Sequence, residues 1–136
     1  MKLLVDTNIV LDVLLDREPW IDTARELWRA NDHGQITGYL TATTLTDIFY
    51  IARKVKNLSH AHAAVLLCLE AFDICPVDRE ALELAIALPG SDFEDNLQIA
   101  AAMRAGLDAI VTRNRSDYGA APIAIFSPEE ALTRLK

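Results

Sequence analysis

Short apolar runs alternate with helical segments along this whole 136-residue chain, and that alternation fixes the class of fold. KLLV at 2–5, QITGYLT at 35–41, FDICPV at 72–77, DAIVT at 108–112 and PIAIF at 122–126 each read as a strand. KLLV, like a strand covered on both faces, lacks polar alternation. Helices are predicted over about 9–15, about 20–32, from Thr43 or Thr44 to Asn57, and from Ser59 to about Ala71. Further helices run from Asp78 to Pro89-Gly90, from Ser91 to Gly106, and onward from Ser127-Pro128. Thr7 or Asn8 is the expected cap of the first helix, and Ser91 with Glu94 forms an expected capping box. Phe93, Leu97 and Ala101 are expected to point inward, and the Trp20/Trp28 stripe reads as core more readily than as interface. Strand–helix alternation without a linker or repeat predicts one domain over 1–136. Its class is α/β, a three-layer α/β/α sandwich around a mostly parallel sheet.

Such a sheet binds ligands outside the carboxyl ends of its strands, so the residues just after each strand matter most. Acids concentrate there. Asp6 directly follows the first strand, and Asp47 falls in what reads as the first turn of the helix after the second. Asp92 and Asp95 open the helix before DAIVT, and Asp117 lies in the loop after it. Gathered together, carboxylates repel and raise one another's pKa unless a cation sits among them. Oxygen ligands suit Mg²⁺ or Mn²⁺, whereas Zn²⁺ would want Cys or His at usable spacing. His60 and His62 are two apart, diverge on a helix, and read as a solvated face. Taken singly, Asp47, Asp92 and Asp95 have a local explanation as helix-start residues. Asp6 has none, because a structural reading requires a partner that the sequence does not name.

The net charge of −7 argues against a broad basic surface for nucleic acid. The surplus is local: residues 57–112 hold 2 Lys/Arg against 9 Asp/Glu, while 113–136 hold 4 against 3. Any nucleic-acid binding is therefore expected to be weak without metal and to lean on ions and a few arginines. Cys68 and Cys75 lie in apolar runs and read as free thiols of a reducing cytoplasm. Asp6 and Asp12 interrupt the apolar N-terminus, which reads as neither a signal peptide nor a membrane span.

LLVDTNIVLD at 3–12, TATTLTDIFYIARK at 41–54, SDFEDNLQIAAA at 91–102 and IVTRNRSDYG at 110–119 together resemble the PIN domain family, in particular its toxin-like bacterial members related to VapC. The resemblance implies an α/β/α sandwich with a metal-dependent nuclease site, usually acting on RNA. It carries the family's first acid to Asp6, the third to Asp95 and the fourth to Asp117, with Thr112 and Asn114 as the usual polar neighbours. The second place, typically Glu, is filled by Asp47, whose reach is shorter by roughly 1.5 Å, one carbon–carbon bond. A water-mediated or proton-accepting role suits Asp47 better than a direct metal contact.

The expected mechanism is phosphodiester hydrolysis with one or two Mg²⁺ or Mn²⁺ ions held by Asp6, Asp95 and Asp117, with Asp92 as an extra ligand. Asp47 orients or deprotonates water, and Thr7, Asn8, Thr112 and Asn114 fix the carboxylates by hydrogen bonds. Arg113 and Arg115 are the expected phosphate grips. Arg53, Lys54 and Lys56 extend the track or are simply solvated. The resemblance also implies a small antitoxin partner and a homodimer.

One rival is a catalytically inactive PIN-like module that binds RNA or protein, favoured only by Asp47. Others are phosphotransfer folds. A haloacid dehalogenase needs Asp where Asn8 stands, and a receiver domain needs paired acids and a late Lys that DTN and TRN do not supply.

Overall fold

In the computed structural model, which describes residues 1–119 and 121–135, the five apolar runs become β1 (Lys2–Val5), β2 (Thr37–Thr41), β3 (Asp73–Cys75), β4 (Ala109–Val111) and β5 (Ala124–Phe126). They form one sheet in the order β3-β2-β1-β4-β5, and every neighbouring pair is parallel. Except for β1, the strands are shorter than the runs that announce them. Ile36 and Phe72 are buried too, but they belong to connections rather than to the ladder.

The helices are α1 (Thr7–Leu14), α2 (Ile21–Asp32), α3 (Ala42–Val55), α4 (Leu58–Ala71), α5 (Arg79–Ala87), α6 (Phe93–Arg104) and α7 (Pro128–Thr133). Strand side chains alternate between two cores. Leu3, Val5, Ala109 and Val111 pack with residues of α1, α2, α3, α4 and α7, including Ile9, Leu27, Ile48, Ala64 and Ala131. Leu4 and Ile110 face the other way, onto Ile99 and Ala102 of α6. In turn α6 packs Leu97 and Ala100 against Ala81 and Ala85 of α5. Both faces of the sheet are thus covered, as the apolar runs require, and the three-layer α/β/α sandwich is the observed architecture.

Several local expectations change. Asp6, not Thr7 or Asn8, occupies the cap position of α1, and its carboxylate makes no capping bond. Thr41 caps α3 by accepting from the Thr44 N–H, and Asn57 caps α4 by accepting from the His60 N–H. The Ser91–Glu94 capping box does not form. Asp92 takes the cap instead, accepting the Asp95 N–H at 3.0 Å, and Glu94 is released for another role. Phe93 is 45% exposed rather than inward, while Asn96 and Ile99 are buried. Trp20 is 43% exposed, whereas Trp28 packs edge-on against Phe72. Asp78 and Ser127 cap α5 and α7 as expected. Gly106, at φ +68°, ends α6 in the left-handed conformation that glycine adopts without steric cost.

Cys68 and Cys75 are free and buried, and burial pushes their thiols up to about 12 and about 11. Among the described residues, no helix is long and apolar enough to cross a membrane.

Candidate active site

The strand order reverses direction at β1, which lies between β2 and β4. Open parallel sheets place their ligand crevice at such a switch point, outside the carboxyl ends of the strands. Asp6 follows β1 at that place, and its backbone N–H donates to the Val111 carbonyl of β4 at 3.0 Å. Thr112, the next residue after β4 and fully buried, donates its hydroxyl to Asp6 Oδ2 at 2.8 Å. The Thr112 hydroxyl in turn accepts from the Asn114 N–H at 3.1 Å. The Asp6 carboxylate is therefore held at the crevice by the strand beside it, and the same threonine shapes the loop that leads to Asp117.

The pocket here, about 220 Å³, is lined by Asp6, Thr7, Asn8, Leu11, Asp47, Ile51, Glu94, Asp95, Gln98, Asn114 and Asp117. Five carboxyl groups thus come from four places: the end of β1, α3, the first turn of α6, and the short 3₁₀ turn at Arg115–Tyr118. Asp47 stands in the second turn of α3 rather than the first. Asp92 does not line this pocket. It borders an adjoining depression shared with Asp95 and Asp117, and its carboxylate is committed to the α6 cap.

Glu94 is the acid that the sequence reading passed over as a capping residue. It lines the pocket with Asp47. A hydrogen bond with Asp47, then burial and the nearby acids, raises Glu94 to about 7. Burial and repulsion from Asp92, Asp6 and Asp117 raise Asp95 to about 6. Asp6 is also raised, first by burial; the Thr112 hydroxyl, the Thr7 N–H and Arg113 oppose that shift. Protons accumulate where no cation is present, as expected for crowded carboxylates. Tyr118 lies beneath the acids and is held protonated by burial and by their charges.

The basic residues have other partners. Arg113 donates Nε and Nη2 to the two oxygens of Asp12 at 2.9 and 3.2 Å, and its guanidinium stacks 3.9 Å over Trp20. Arg115 bonds Glu130. Arg53, Lys54 and Lys56 lie exposed towards the end of α3.

The donor set fits a hard divalent cation. It is all oxygen, without imidazole or thiol, which suits Mg²⁺ or Mn²⁺ rather than Zn²⁺. Gln98, only 3% exposed, is among the pocket's lining residues, and its buried Oε1 has no hydrogen-bond partner. Yet among the described residues no three Asp, Glu, His or Cys groups converge closely enough to hold a bare ion.

A three-layer parallel α/β domain with acids gathered at the switch point defines the class of protein. The profile of the PIN domain matches residues 2–116, and the chain belongs to that family. FitAcB from Neisseria gonorrhoeae aligns with a TM-score of 0.73 at 19% identity over 93% of this chain and 98% of that one. DNA-bound VapBC from Salmonella typhimurium gives 0.71 at 21% identity over 94% and 98%. VapC20 from Mycobacterium tuberculosis, described as a toxin that cleaves the sarcin-ricin loop, gives 0.71 at 16% over 90% and 96%. No curated protein sequence matches the chain.

Proposed function

We propose that this protein is a Mg²⁺- or Mn²⁺-dependent endoribonuclease, the toxin of a toxin–antitoxin pair acting in the cytoplasm. The observation that carries the reading is the set of five carboxyl groups around one crevice without a cation of the protein's own, of which Asp6, Glu94 and Asp95 are raised in pKa. Family membership and the likeness to an RNA-cleaving toxin support RNA as the substrate.

A bound divalent ion lowers the pKa of water and offsets the charge that builds on a phosphate under attack. The chain's own groups do the rest. Asp6, Asp95 and Asp117 would present oxygens to the ion and its waters, with Asp92 in the adjoining depression. Thr112 orients Asp6, while Asn114, Thr7 and Asn8 complete the polar wall. Asp47 takes a proton from the attacking water, and Glu94, raised to about 7, lines the same pocket. Glu94 adds a glutamate carboxyl to the site, which weakens the case for an inactive module. Arg113 and Arg115 are phosphate grips only through their remaining N–H groups or by exchanging partners.

Asp6→Asn keeps the size and removes the charge. RNA cleavage in Mg²⁺ or Mn²⁺ should be lost while the protein stays folded; a variant as fast as the parent would overturn the assignment. An antitoxin and a second copy of the chain are the expected partners. Leu66, Leu69 and Tyr50, on α4 and α3, are 61, 50 and 59% exposed, apolar surface that supports an interface. Light scattering with and without a co-expressed partner tests that part.

A further inference from the structure

Beside the acids, one corner of the molecule carries charge of the opposite sign. α1 ends in a turn with Asp16 in the left-handed conformation, at φ 51°, and the Arg17 N–H closes on the Asp12 carbonyl at 3.0 Å. That turn brings the Arg17 side chain back along α1, where Nη1 donates to Asn8 Oδ1 at 3.3 Å and stands 3.8 Å from the Asp12 carboxylate. Arg113 reaches the same carboxylate from the loop after β4. Two guanidinium groups therefore share one buried acid, which leaves a surplus of one positive charge. Arg25 is balanced by Asp16, and among the described residues the exposed Glu18 pairs with neither arginine. Arg17 and Arg113 are 30 and 20% exposed, and each keeps N–H groups that Asp12 and Asn8 do not use.

Trp20 completes the corner. Its carbonyl accepts the Ala24 N–H at 3.1 Å, which ties it to the first turn of α2, and Arg113 covers one face of its indole. The residue still keeps 43% of its surface in solvent. The corner adjoins the crevice. Asn8, which Arg17 grips, lines the acidic pocket, and Arg113 stands between Thr112, which holds Asp6, and Asn114, which also lines the pocket.

An open aromatic ring beside unbalanced guanidinium groups suits a nucleotide, whose base stacks on the ring while its phosphate meets the charge. A phosphodiester carries one negative charge, which matches the surplus. An apolar protein segment would cover the ring and leave that charge unmet.

We propose that Trp20, Arg17 and Arg113 form a nucleotide subsite beside the crevice: a base of single-stranded RNA stacks on the Trp20 indole, and its phosphate lies against the two guanidinium groups. This rests on the ribonuclease reading above and adds where the strand is held away from the acids.

Fluorescence anisotropy of a short, dye-labelled single-stranded RNA of random sequence tests it in EDTA and low salt, where the acids hold no ion and phosphate contacts are strongest. The parent should bind saturably. Trp20→Ala should weaken binding about tenfold, the scale of one lost base stack, and Trp20→Phe, which keeps a ring, should recover most of it. Arg17→Gln should flatten the dependence of log K on log salt by about 0.7, the share of one phosphate on a single strand. RNA should also quench the fluorescence of Trp20, and the quenching should vanish in Trp20→Phe, where only Trp28, packed against Phe72, still emits. Unchanged affinity in Trp20→Ala, a loss in Trp20→Phe as large as in Trp20→Ala, or an unchanged salt slope in Arg17→Gln overturns the proposal. So does a Trp20→Ala variant that binds RNA like the parent but no longer holds a co-expressed protein partner, which would assign the corner to that protein. If the parent cuts RNA with Mg²⁺ but binds none in EDTA, this inference falls and the ribonuclease reading stands. If it neither cuts nor binds, both fall. Thermal unfolding of each variant confirms that it is folded.

Discussion

Two carboxylates of the same helical segment meet opposite fates. Asp12, in α1 and 1% exposed, receives both arms of the Arg113 guanidinium and has Arg17 3.8 Å away. Asp6, at the start of that helix, faces Asp95 and Asp117, takes its hydrogen bonds from neutral donors, and feels the charge of Arg113 without an ion pair to it. The chain therefore has the means to neutralise a buried acid and uses them one helix turn or two from a place where it does not. The difference separates structure from chemistry. A carboxylate that holds the fold carries its counter-ion in the sequence, and one that works at the crevice leaves that position open to a solute.

Exchanging charge on either side tests this contrast, and the largest effect belongs to the crevice. Asp95→Asn should slow RNA cleavage roughly a thousandfold, since metal electrophilicity is worth several kcal/mol. The same variant should melt higher than the parent at pH 8 without divalent ions, because a repelling charge is gone. Cleavage rates and a thermal scan check the two signs together.

Next comes the paired acid. Asp12→Ala should cost about 3 kcal/mol in chemical denaturation by stripping Arg113 of its partner. A loss as small as that of a surface substitution would erase the distinction.

A smaller effect is expected at the support of the site. Thr112→Val removes the hydroxyl on Asp6 and should weaken Mn²⁺ binding about tenfold, as loss of an orienting hydrogen bond does. Calorimetric titration measures it.

The pH response is the smallest and the most diagnostic. Glu94 and Asp95 are raised to about 7 and about 6, so the folded state holds protons that the unfolded chain has already released. Stability without divalent ions should therefore fall as pH rises from about 4 to 7, by a few degrees of melting temperature. Ion affinity should rise over the same window, since cation and protons compete. A melting temperature that climbs from pH 5 to 8 without ions would break the comparison.

The strand–helix order and the position of Asp6 were legible because both follow from burial. Uninterrupted apolar runs mean strands covered on both faces, and an acid ending such a run lies at the sheet's ligand edge. What escaped is what a local rule explains too readily. Glu94 fits a capping box with Ser91, so nothing in the spacing exposes its place in the pocket with Asp47; the cap moved by one residue, to Asp92. Arg113 beside Asn114 reads as a phosphate grip, and only the fold brings Asp12 and Trp20 to it. Gln98 sits before Ile99 and an alanine run, where no periodicity distinguishes a pocket residue from a buried bystander. Its amide bonds Thr44, 54 residues away.

The hydrogen bond from Thr112 to Asp6 joins positions 106 residues apart. During synthesis the first acid leaves the ribosome long before the strand that orients it and the turn that bears Asp117. Pairing β1 with β4 closes most of the chain into a loop, a late and slow event by contact order. Helical pairs such as α3 and α4 can form while the crevice is still two unconnected pieces. The nuclease proposed here would thus stay inert while it is being made, and a chain cut short before residue 112 would keep most of its helices but have no working site.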